Sequence, residues 1–215
     1  MMATVSEPRE KILGLVASGK ISPNEAELLL GALKPARARL WTWLFSPFEL
    51  ASPRLVWAAA LLACAGSLAL RPLQVHFDGA IDLHLFESAA SWRVALLQQA
   101  VAWPLTALVF WLLALVSRQR AQLLELLGFV GAARIPYLLA ALLAGVTRSS
   151  AQLEKGAAAL ILLAAALPLM VWGCVLLYHA LRTATGSSGR KLGLTFFAAL
   201  VLAEVASKLM LGALS

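Results

Sequence analysis

The chain has 215 residues, of which 61% are hydrophobic and only 13% charged, and its formal net charge is +7. Soluble domains carry roughly a quarter charged residues, so this composition excludes a water-soluble globule and makes lipid the natural solvent. The basic residues sit in short gaps between apolar runs and form no stripe, which reports membrane orientation and anionic head groups, not nucleic acid.

The N-terminal 34 residues read as a small cytosolic helical hairpin. Ser6, Glu7 and Pro8 open a helix whose apolar stripe is Ile12, Leu15 and Val16, and Gly19 supplies the stop. Ser22-Pro23-Asn24-Glu25 then predicts a capping box, with proline at the first helical position where no amide is needed. Ala26, Leu29, Leu30 and Leu33 continue the stripe. So short a hairpin buries too little to be very stable alone. Ile12, Leu15, Val16, Leu29 and Leu30 are therefore expected to face a protein partner, a second copy or the membrane surface. The run from Glu10-Lys11-Ile12-Leu13 through Gly19-Lys20-Ile21-Ser22 to Leu28-Leu29 resembles the SHOCT-like hairpins attached to bacterial membrane proteins. That resemblance implies protein interaction and no catalysis.

No cleavable signal is evident in residues 1–39, so the first span is expected to direct insertion. Residues 35–53 are an interfacial lead-in in which Arg37 and Arg39 precede Trp41 and Trp43, the pairing that anchors a segment in the head-group layer. Five apolar runs follow in a transmembrane domain over 54–215: Leu55–Leu70, Val94–Ser117, Gln122–Val146, Gly156–Leu181 and Leu192–Leu214. Crossing hydrocarbon takes about 20 helical residues; the first run is shorter, and Arg54 and Arg71 can snorkel to extend it. The fold class is thus all-α, with five transmembrane helices and the cytosolic hairpin. Basic residues near the span ends favour a cytosolic N-terminus and an external C-terminus.

The first outer loop alternates apolar and polar residues around Asp78-Gly79, predicting a β-hairpin with Phe77 opposite Ile81. That register gathers His76, Asp82 and His84 on one face, a weak metal constellation. Stronger signals come from charges inside the spans, because burying them in lipid is costly. Arg134 and Glu204 lie at equal depth in the third and fifth spans and are expected to pair. Lys208 lies one turn beyond Glu204, on its face of the helix, and can also neutralise it. Glu125 lies nearer the cytosolic end, within reach of Arg118, Arg120 or Arg182. The cluster is expected to lock spans together; the alternative is a proton or ion relay. Pro104, Pro136 and Pro168 are expected to kink their spans, and Gly128, Gly131 and Ala132 to allow close helix approach. Cys64 and Cys174 read as small buried hydrophobes. No catalytic signature and no cofactor motif is present, and the chain is not expected to be an enzyme.

Phe45-Ser46-Pro47-Phe48-Glu49, the five runs, and Leu126-Leu127-Gly128-Phe129-Val130-Gly131-Ala132-Ala133-Arg134-Ile135-Pro136 resemble the bacterial branch of the Yip family. The resemblance implies a five-span bundle in a bacterial inner membrane, acting in membrane organisation or as a platform for partners. The acidic-proline-glutamate signature of the eukaryotic trafficking members is missing, so GTPase binding does not carry over. The expectation is a membrane scaffold or adaptor; the alternative is a small transporter or channel subunit using Arg134, Glu204 and Lys208.

Overall fold

The computed structural model describes residues 6–32, 36–76, 79–81, 84–85, 91–149 and 155–214. They fall into two compact units, Met1–Leu44 and Phe45–Ser215. Leu33, Lys34, Phe77, Asp78, Asp82, Leu83 and Glu87 lie outside the described residues, as do the side chains of Arg37, Arg39, His76 and His84.

The first unit holds α1 (Ser6–Ala17), α2 (Pro23–Ala32) and most of α3 (Ala36–Phe45). Gly19 takes φ +67°, which lets Lys20 N–H reach Leu15 O and Gly19 N–H reach Val16 O, both at 3.0 Å. This is the Schellman closure that glycine permits. The capping box forms in both directions: Ser22 N–H donates to Glu25 Oε2 at 2.8 Å, and Glu25 N–H donates to Ser22 Oγ at 3.3 Å. Ile12 and Ala26 are buried, whereas Leu15, Leu28 and Leu29 are exposed. Val16 and Leu30 are half-buried. On α3, Trp41 and Trp43 are exposed.

In the second unit, the lead-in turn at Pro47–Glu49 is fixed at two points. Phe48 lies against Phe129 with ring centroids 4.8 Å apart, and Ser46 Oγ meets His179 Nδ1 at 2.9 Å. The helices are α4 (Pro53–Ala69), α5 (Trp92–Val116), α6 (Leu123–Ala132), α7 (Ile135–Ser149), α8 (Lys155–Thr185) and α9 (Gly189–Leu214). Serine caps open α4 and α5, Ser52 Oγ accepting from Leu55 N–H and Ser91 Oγ from Val94 N–H. Among the described residues, four stretches are long and apolar enough to cross a membrane: Trp92–Val116, Leu123–Gly145, Ala164–Thr185 and Gly189–Ala213.

The third apolar run is broken where a kink was expected. α6 ends at Ala132 and α7 begins at Ile135, with Pro136 in the first turn of α7, where its missing N–H costs no helical hydrogen bond. Pro104 and Pro168 remain inside α5 and α8. The most extensive contacts join α5 to α9, α4 to α6, and α7 to α8. Gly131 makes one of these approaches possible: a Cβ there would come within 2.6 Å of Ala60 Cβ and 2.7 Å of the Trp103 ring. Trp103 Nε1 also donates to Leu127 O at 2.7 Å, tying α5 to α6.

Between α4 and α5 the chain forms a minimal antiparallel pair, β1 (Val75–His76) with β2 (His84–Leu85). Its register is Val75 opposite Leu85 and His76 opposite His84, two residues away from the expected one, and Ile81 is in neither strand. A shift of two preserves which side chains share a face. The tip was expected to be a tight turn; it is instead drawn into the bundle, as described below.

Two outcomes follow. Gly131→Ala should cost about 1–3 kcal/mol through overpacking, read as a lower midpoint of denaturant unfolding in micelles. The Ser22 backbone N–H, and then its hydroxyl, hold the Glu25 carboxyl below its ordinary range. A depressed carboxyl contributes stability that is present above its unfolded pKa and lost as pH falls through the folded one. Hydrogen exchange at Ser22 N–H should therefore lose protection at the acid end, and Glu25→Gln should remove that pH dependence.

Candidate functional site: a loop latched on Glu204 beside a buried arginine

Glu204 lies on α9 with its side chain 20% exposed. A carboxylate in an apolar bundle needs donors, because an unpaired charge is costly there. Its Oε2 takes two of them from the first outer loop: Ala80 N–H at 2.9 Å and Ile81 N–H at 3.2 Å. Gly79 makes room for this contact, since a Cβ there would collide with the Glu204 carboxylate oxygens. Ala80 is 3% exposed and belongs to the main core, and Ile81 packs on both the main core and the small cluster of Tyr137, Ala141 and Ala144. The loop tip is thus an internal element of the bundle, latched by charge-assisted hydrogen bonds.

The second carboxylate oxygen, Oε1, faces Lys208 Nζ at 3.6 Å, one turn along α9. Arg134, the partner expected from the sequence, makes no ion pair with Glu204 among the described residues. With Oε2 committed to the loop amides and Oε1 facing Lys208, Arg134 acts on Glu204 through longer-range electrostatics only. Its guanidinium is buried at the α6–α7 break, and both Nε and Nη1 lack a hydrogen-bond partner. Tyr137 and Cys64 share its electrostatic environment, and Tyr137 Oη lies 3.9 Å from Cys174 Sγ. Both cysteines are free and half-buried, and Cys174 has a polar neighbour, the Tyr137 hydroxyl, that its apolar sequence surroundings did not signal.

Among the described residues, Ser207 Oγ on α9 and Gln99 Oε1 on α5 are also buried without partners. Ser207 is three residues from Glu204 and so shares its face of α9. Phe110 meets Phe196 edge-on at 5.9 Å, and Ser117 Oγ lies 3.1 Å from Thr195 Oγ1, two contacts that join α5 to α9. The site therefore draws on the α6–α7 break and α9, with the loop tip bound to its carboxylate. Sequence reasoning found its charges but missed Gln99, Tyr137, Ser207 and the two loop amides. The Asp78-Gly79 turn and the three-residue spacing of Ser207 from Glu204 were the available hints.

Glu125 is exposed in the first turn of α6 and forms no ion pair with Arg118, Arg120 or Arg182 among the described residues. His76 and His84 face each other in backbone register, while Asp82 lies outside the described residues. No group of three metal-ligating side chains occurs among the described residues.

The latch makes a coupled prediction. Glu204→Ala should cost about 2–4 kcal/mol, since two charge-assisted hydrogen bonds at roughly 1.5–3 kcal/mol each are partly offset by rehydration of the freed amides. Gly79→Ala should be damaging alone and much milder in the Glu204→Ala background, because the atoms it strikes are gone. A double-mutant cycle on unfolding in micelles measures the non-additivity, and additive costs would count against the latch.

No known protein family matches the chain, and no curated protein or solved structure does either. The functional reading rests on the chemistry of the chain itself.

Proposed function

We propose that this chain is an integral membrane scaffold or adaptor of Yip-like type, a five-span bundle that anchors a SHOCT-like interaction hairpin at the cytosolic face of a bacterial inner membrane. The observation that carries the reading is the hairpin's surface. Its unit is compact in itself, yet leaves Leu13 53%, Leu15 36%, Leu28 76% and Leu29 45% exposed. An amphipathic helix pair with unpartnered leucines suits a helix-in-groove partner or a second copy. The state of Glu204 supports the same reading: its carboxylate is engaged by the loop and by Lys208, as a structural lock requires.

α4 supplies the fifth span. Its 17 residues rise about 25 Å at 1.5 Å per residue. The turn at Arg71–Leu73 prolongs it, and the Arg71 guanidinium sits 4.5 Å over the Trp92 ring, a cation and an indole suited to the head-group layer. At the opposite end of the bundle Arg54, Arg118, Arg120, Arg182, Arg190 and Lys191 are all exposed. This asymmetry supports a cytosolic N-terminus and an external C-terminus.

A second reading, a small transporter or channel subunit, is favoured by one observation: the buried Arg134 with two unpartnered nitrogens at a helix break. Ionisable groups and broken helices inside membranes mark ligand and ion sites.

In-membrane crosslinking with mass spectrometry separates the two. Leu28→Glu with Leu29→Glu should abolish capture of a specific partner while leaving bundle stability within about 0.5 kcal/mol, as exposed positions allow. An unchanged crosslink pattern would overturn the adaptor reading. Arg134→Met should be neutral or stabilising if the arginine has no ligand, as replacing buried charge by apolar volume often is. Loss of an ion flux in liposomes with an intact fold would establish transport.

A further inference from the structure

At the end of the bundle that carries the lead-in turn, a cavity of about 130 Å³ opens between α4, α6 and α8. That is several times the roughly 30 Å³ that a water molecule occupies in the liquid. Phe48 and Phe129 are each 6% exposed and stack at 37° to line it with aromatic surface. Trp57 adds a third ring, half-buried and seated against Gly128, where even a Cβ would come within 3.4 Å of the indole. Glu125 lines the same cavity one turn before Phe129 on α6, and Thr183 does so from the last turn of α8. The Thr183 hydroxyl is buried without a hydrogen-bond partner, and the Glu125 carboxylate has no ion pair among the described residues.

Three aromatic rings, an uncommitted carboxylate and an orphaned hydroxyl define a narrow ligand chemistry. The carboxylate opposes an anion. One carboxylate and one hydroxyl are too few oxygens for a calcium ion, which takes 6–8. A purely apolar guest would leave the buried Thr183 hydroxyl unsatisfied. An organic ammonium satisfies all of them, through cation–π contact with the rings, charge pairing with Glu125 and an N–H or polarised C–H for the hydroxyl. Arg54 and Arg182 are exposed and adjoin the lining residues Pro53 and Thr183 in sequence. They provide the opposite charge that a phosphate a few atoms away would need.

We infer that this cavity binds the ammonium group of a zwitterionic phospholipid head, with Glu125, Trp57, Phe48 and Phe129 as its cage and the rim arginines facing the phosphate. The site is separate from the Glu204 latch and does not depend on the hairpin, so it stands whether the chain is an adaptor or a transporter.

The test uses the full chain purified from vesicles of phosphatidylethanolamine and phosphatidylglycerol in equal amounts. Native mass spectrometry should show phosphatidylethanolamine retained over phosphatidylglycerol at least fivefold. Glu125→Gln, an exposed position that leaves the fold intact, and Trp57→Leu, which removes one ring, should each abolish the preference. In bilayers of phosphatidylglycerol alone, tetramethylammonium chloride is titrated while tryptophan fluorescence is followed, with Trp57→Phe as the control for signal origin. A lipid preference lost in Glu125→Gln assigns the site to lipid. Saturation by the free ammonium without a lipid preference, again lost in Glu125→Gln, keeps the ammonium cage but moves its source to a soluble amine and overturns the lipid assignment. No preference and no saturation, or either one unchanged in Glu125→Gln, overturns the site altogether.

Discussion

A carboxylate held inside an apolar bundle has few places to find hydrogen-bond donors, and Glu204 finds two of them on the backbone of a loop. Ala80 and Ile81 give their amides to one carboxylate oxygen at 2.9 and 3.2 Å. The same contact solves the loop's own difficulty, because backbone N–H groups carried into an apolar interior need acceptors as much as the carboxylate needs donors. Each side makes the other's burial tolerable. The consequence reaches outward: Ala80 enters the main core and Ile81 bridges the two apolar clusters, so the segment between α4 and α5 becomes part of the packing.

The commitment of Glu204 to the loop leaves Arg134 in an unusual position. It sits at the break between α6 and α7, where Tyr137 and Leu138 N–H both donate to its carbonyl oxygen, while two of its own side-chain nitrogens lack acceptors. A guanidinium so placed holds a positive field in the middle of the bundle without being neutralised by a direct contact. Tyr137, Cys64 and Glu204 lie within that field. In a membrane interior such a charge persists when structure or a ligand rewards it, which is why the adaptor and transport readings meet at this one residue.

The opposite end of the bundle is built on different chemistry. Phe48 is brought onto Phe129 by a turn whose Ser46 hydroxyl meets His179, so the short lead-in is fixed to α6 and α8 together. Aromatic and cationic groups suit the head-group layer, and here the rings surround a carboxylate.

What the sequence determined by itself is local or one-dimensional. The capping box at Ser22–Glu25 and the Gly19 helix stop formed as expected, because each involves residues only a few positions apart. The lipid-facing character of the long helices follows from apolar length alone, as does the placement of charge at depth along them. Tertiary structure decided which donors Glu204 takes from outside its own helix. The loop amides and Glu204 are 124 and 123 residues apart, and no spacing rule links a turn glycine to a carboxylate that distant. Equal depth made Arg134 the natural partner of Glu204, yet depth is only one of three coordinates, and a backbone segment entering from the side took the acceptor instead. The Glu125 cage depends likewise on which helices pack together. Hydrophobic periodicity specifies that helices bury a face, while packing contacts choose which face meets which neighbour.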